Sequence, residues 1–185
     1  MVSRSRGDTR SLTTAVLALL AALTTASCGS SAGPRPALQL DVAQYMARIN
    51  QWAPAEREAS AAISEIFRSQ FVDADLVTSI AHRMSPAIDR QLKAIGSYTP
   101  NTQEIREIHA RYAGAWQRLR EGFDLVYEGM KADDGIRLAE GRRRLEAWSE
   151  EMITVAKELR KLVEAVGLSS TRTVTEDVHL QGRAG

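Results

Sequence analysis

The chain has 185 residues, 24 of them Lys or Arg and 23 Asp or Glu, for a formal charge of +1 at pH 7. So even a balance, without a clustered basic face, lacks the electrostatic footprint of a nucleic-acid-binding protein. The single cysteine rules out an internal disulfide framework and a paired-thiol redox mechanism.

The first 27 residues read as a targeting segment. Arg4, Arg6 and Arg10 make a positive start, Ser11 to Leu23 is apolar, and small residues follow. That apolar stretch falls short of the roughly 20 residues a helix needs to cross a bilayer. The run Leu23-Thr24-Thr25-Ala26-Ser27-Cys28-Gly29 resembles a bacterial lipobox, with Thr25 where that family usually has Leu. The resemblance implies cleavage between Ser27 and Cys28 and a lipidated Cys28 as the new N-terminus. It also implies a protein exported to the outer side of the bacterial cell membrane, or to the outer membrane of a diderm cell. Lipoproteins of this kind carry at least two acyl chains, such as palmitate, on the cysteine glyceride. Each buried methylene contributes about 0.8 kcal/mol, so two chains anchor durably where one does not. The alternative is an ordinary secretory signal cut near Ala26. Removing Arg4, Arg6, Arg10 and Asp8 with the segment leaves 21 basic and 22 acidic residues.

Residues 28–36 are Gly, Ser and Pro-rich and predict a flexible tether, with the two prolines holding the first helix to a start at Ala37. Leu38, Val42, Tyr45, Ile49 and Trp52 then form a helical stripe that Ala55, Ala59, Ala62, Ile63, Ile66 and Phe67 continue beyond Pro54. Pro54 predicts either a kink or a junction of two helices. Asp73 is placed to cap a further helix carrying Leu76, Ile80, Met84, Ile88, Leu92 and Ile95, kinked at Pro86 and ended by Gly96.

Asn101 with Glu104 has the spacing of a capping box. It precedes the stripe Ile105, Ile108, Tyr112, Ala115, Leu119, Gly122, Val126 and Gly129, flanked by His109, Trp116, Phe123 and Met130. After a short turn, with Asp133 or Asp134 as the cap, Leu138, Gly141, Leu145, Trp148, Met152, Val155, Leu159, Leu162 and Val166 repeat at intervals of three and four. Gly167 stops the helix. Residues 169–185, which include His179, are polar and predict a disordered tail. Together these patterns predict an all-α fold: an antiparallel up-down bundle of about four long helices over residues 37–168, with the N-terminal half kinked at its prolines.

Little in the bundle points to chemistry. The Glu-x-x-His pairs of a di-iron bundle are missing, since Arg106 stands where a Glu would precede His109. His82 and Met84, two apart, face different sides of a helix. No Gly-x-Ser-x-Gly elbow, His-Glu-x-x-His pair, phosphate loop or haem-attachment motif occurs. No cofactor or metal is expected, and the protein is not expected to be an enzyme. Arg142-Arg143-Arg144, beside Arg137, is the one basic cluster, either a paired solvated face or a contact for an anionic polymer. Trp52, Trp116 and Trp148 lie on core stripes, and a gap near His109, Trp116 and Trp148 would make a ligand pocket.

The expected function is therefore a lipid-anchored envelope protein. Its non-catalytic helical interaction domain would contact another envelope protein or polymer, with the membrane as a partner through Cys28. The alternative is a carrier or sensor holding a small ligand or metal inside the bundle.

Overall fold

The computed structural model describes residues 36–168, all of them in four helices and their connections. Residues 1–35 and 169–185 lie outside that range, and with them the signal segment, Ser27, Cys28, nearly all of the tether and His179. The helices are α1 (Pro36–Arg68), α2 (Ala74–Gly96), α3 (Gln103–Ala132) and α4 (Gly135–Ala165). The connections are short, so consecutive helices run antiparallel, and each packs on the next to give an all-α up-down bundle. Thirty-one residues of α4 at 1.5 Å each make a rod of about 45 Å.

α1 starts one residue earlier than expected. Pro36 takes the first turn, where its missing N–H has no helical partner to lose. Neither internal proline breaks its helix, because α1 runs on through Pro54 and α2 through Pro86. Each proline leaves one carbonyl unbonded four residues back. Those carbonyls belong to Asn50 and His82, both exposed residues, where solvent is the expected partner.

The caps follow local chemistry with one exception. Asp73 accepts the Leu76 N–H at 2.9 Å, and Asp134 accepts those of Ile136 and Arg137 at 3.0 and 3.1 Å. Asp133 sits in the left-handed region, φ 52°, and closes α3. At the start of α3 the expected Asn101–Glu104 box does not form. Thr102 is the cap residue and its side chain makes no capping bond, because the hydroxyl is drawn to Asp41 on α1.

α3 and α4 pack most closely, along a seam of glycines. A Cβ on Gly141 would lie 2.8 Å from Val126 Cγ2 and 2.9 Å from the Val126 backbone nitrogen. One on Gly122 would lie 2.9 Å from Leu145 Cδ2, and one on Gly129 2.9 Å from the Leu138 nitrogen. The ion pairs Arg111–Glu158, Arg118–Glu151 and Arg144–Glu121 bridge the same two helices at the surface, where each adds little. α1 packs more loosely than the other three helices, against α2 and, through Tyr45, Trp52 and Glu56, against α3. No helix among the described residues is long and apolar enough to cross a membrane.

Candidate functional site

Two acids on α1 occupy positions that its helical period assigns to the core. Asp41 lies four residues before Tyr45, and Glu56 lies four after Trp52 and three before Ala59. Both are buried, at 1% and 7% exposure. A carboxyl so placed is costly unless other groups bond to it.

Asp41 meets the start of α3. Its Oδ2 accepts the backbone N–H of Thr102 at 2.7 Å, that of Asn101 at 3.0 Å and the Thr102 hydroxyl at 2.6 Å. Burial alone would raise its pKa. The bonds from Thr102 and Asn101 outweigh that and hold the carboxyl below the ordinary aspartate value. One helix thus caps another. Nearby, Gln39 donates to the Val166 carbonyl at 3.3 Å and ties α1 to the end of α4.

Glu56 lies deeper, where α1 faces α3 and α4. Its Oε1 accepts the Tyr112 hydroxyl at 2.7 Å. Desolvation pushes the Glu56 carboxyl above the ordinary glutamate value, opposed by the Tyr112 bond and the charge of Arg57. Burial and the neighbouring Glu56 push the Tyr112 phenol well above its ordinary value. Beside the pair opens a cavity of about 20 Å³, walled by Met46, Ile49, Met152, Val155, Leu159 and Val163. That is room for one water.

Aromatic rings fill the space around this pair. Tyr112 stacks on Trp52, centroids 5.4 Å apart, and lies 6.3 Å from Trp116. Trp116 meets Trp148 edge-on at 6.0 Å. His109 sits at the other end of the run, 5.8 Å from Tyr45, 5.6 Å from Tyr98 and 6.1 Å from Trp52. The structure thus brings Trp116 and Trp148 together and seats His109 in a separate group that Trp52 and Tyr112 join to them. None of the three lines the cavity. Burial holds His109 below the ordinary imidazole value, offset in part by the backbone of Ile95 and Tyr98. Its Nδ1, the Tyr45 hydroxyl and the Trp148 indole nitrogen are buried without a hydrogen-bond partner. The Trp116 N–H lies toward the Tyr112 oxygen without forming a well-directed bond.

The basic cluster is paired. Arg137 meets Asp134, Arg142 meets Glu146, Arg143 meets Glu140, and Arg144 meets Glu140 and Glu121. His82 is exposed beside Tyr127 while Met84 is buried, so the two point apart as their spacing requires. Among the described residues no three His, Cys, Asp or Glu side chains converge as a metal site. No family model, curated protein or solved structure matches the chain.

Proposed function

We propose that this is an exported, lipid-anchored envelope protein whose helical bundle is a non-catalytic interaction domain. The observation that carries the reading is the filled interior: rings and aliphatic side chains occupy the bundle, and the cavity beside Glu56 has room for one water. A domain filled in this way offers its outer surface to a partner. The anchor rests on the export pattern and on Cys28 in its lipobox-like run.

Expression with radiolabelled palmitate, followed by membrane fractionation, tests the anchor. The wild-type chain should label and sediment with membranes, whereas Cys28→Ala should do neither. Unchanged retention of Cys28→Ala would overturn the anchor.

Glu56 gives the carrier reading its one foothold, a buried acid beside a small cavity. Native mass spectrometry on residues 29–185 separates the two readings. A bare chain mass supports the interaction domain, and a retained metal or organic mass supports the carrier.

A further inference from the structure

We propose that α1 is a removable cover on the α3–α4 hairpin, released locally when the Glu56 carboxyl gives up its proton while α3 and α4 stay packed. The release goes beyond the interaction-domain reading and stands whether or not the chain is anchored.

α1 is joined to the hairpin differently from the hairpin's own seam. α3 and α4 meet backbone to backbone at Gly122, Gly129 and Gly141, where an added Cβ would have a neighbour at 2.8–2.9 Å. α1 reaches the same two helices through side chains: Trp52 and Glu56 against Tyr112, Tyr45 against His109, and Gln39 to the Val166 carbonyl. Pro54 removes one backbone bond from α1 two residues before Glu56, so the helix bends most readily there. The turn into α2, with Gln70 and Phe71 left-handed at φ 51° and 60°, keeps the far end attached. Beneath α1 lie Met152, Val155, Leu159 and Val163, an apolar row of α4.

The two buried acids of α1 hold it in opposite protonation states. Asp41 accepts two backbone N–H groups and a hydroxyl, donors that suit a carboxylate. Glu56 accepts the Tyr112 hydroxyl beside a largely apolar cavity, where a charge is costly to keep. The titratable and charged groups that face it are Tyr112 from α3, Tyr45 and Arg57 from α1, and Arg160 from α4. Both phenols are pushed above their ordinary value and stay neutral. Arg57 and Arg160 are exposed, so solvent screens their charge. An ionised Glu56 therefore gains most by reaching water, which requires α1 to lift. The sign is opposite at Asp41. Its folded pKa is lowered, so its hold is complete above the unfolded value and lost as pH falls through the folded one. The folded pKa of Glu56 is raised, so its hold is complete below the unfolded value and lost as pH rises through the folded one. α1 is thus held best between the ordinary aspartate and glutamate values, at about pH 4, and loosens on either side.

The test is hydrogen exchange read by mass spectrometry on the full chain between pH 5 and pH 9, corrected for the intrinsic rate. Amides of residues 45–66 in α1 should lose protection by about tenfold per pH unit once pH passes the folded Glu56 value, as one proton released on opening requires. Amides of residues 112–126 in α3 and 145–159 in α4 should keep theirs. Glu56→Gln should make α1 protection flat with pH. Glu56→Met, apolar and close in volume, should do the same, and serves if circular dichroism shows the Gln variant unfolded. Equal loss in all three stretches of the wild type would overturn a local release in favour of global unfolding. Protection of α1 that is flat in the wild type, or that still falls with pH in a folded variant, would overturn Glu56 as the trigger.

Discussion

Replacing Asp41 with Ala removes a carboxylate that accepts three hydrogen bonds of 3.0 Å or less at the start of α3. Losing an ordinary N-cap costs about 0.5–2 kcal/mol, and hydrogen bonds to a charged group contribute about 1.5–3 kcal/mol. Asn101 is exposed, so water reaches part of the vacated site, and the expected loss is about 2–3 kcal/mol in total. For a domain of this size that lowers Tm by about 8–10 °C. Asp41→Asn keeps the shape and one acceptor and should lose about half as much. The pH dependence supplies a second reading. The folded-state pKa of Asp41 lies below its unfolded value, so its stabilisation is complete above the unfolded value and fades as pH falls through the folded one. Urea unfolding followed by circular dichroism between pH 7 and pH 2.5 should show the gap between wild type and Asp41→Ala closing on the acid side. A gap under about 0.5 kcal/mol at pH 7, or one independent of pH, would refute an ionised cap acting across helices.

Glu56 has the opposite sign. Its folded pKa is raised, so its contribution is complete below the unfolded value and lost as pH rises through the folded one. Glu56→Gln should match wild type near pH 4 and exceed it at pH 8 in urea midpoint, and the reverse order would contradict a buried acid. Tyr112→Phe leaves that acid unbonded and should cost about 1–3 kcal/mol by the same measurement. Gly141→Ala forces a methyl against the Val126 backbone and should destabilise by about 1–3 kcal/mol, although alanine is the better helix former. Gly114→Ala, whose nearest neighbour would be the Arg118 guanidinium at 3.7 Å, should instead stabilise by about 0.5–1 kcal/mol. Gln70→Gly should relieve a left-handed residue and raise thermal stability by up to about 1 kcal/mol, and a lower Tm would contradict strain at that turn.

The helices were legible because their burial is periodic. The stripes of α3 and α4, from Ile105 to Val126 and from Gly141 to Leu159, are the buried faces with few exceptions. What escaped the sequence was long-range and polar. Thr102 looked like a neighbour of a local capping box, and nothing within a few residues of it shows that its partner lies 61 positions away. Asp41 and Glu56 did leave a trace, since each interrupts an apolar row at a core position. That trace marks burial without naming a partner. His109 and Trp116 sit one row beside the α3 stripe, and spacing alone cannot say that one faces Tyr45 and the other Trp148. Of the two outcomes that Pro54 offered, a bend or a junction of two helices, the junction is absent, and both prolines sit inside continuous helices with exposed residues, Asn50 and His82, four positions back.

The glycine seam between α3 and α4 bears on the order in which the domain assembles. Its contacts join residues close in sequence, so the ends need close only a short loop before the two backbones meet. α1 has a different dependence, because the Asp41 contact needs the start of α3 already in place and the Gln39 contact needs the finished end of α4. The C-terminal hairpin is therefore the expected nucleus and α1 the helix expected to dock last, an order that hydrogen exchange would read as weaker protection in α1 than in α3 and α4. In a cell that gives synthesis a direction, for the chain emerges with α1 first, and that helix must wait, apolar face uncovered, until the last hundred residues have followed it.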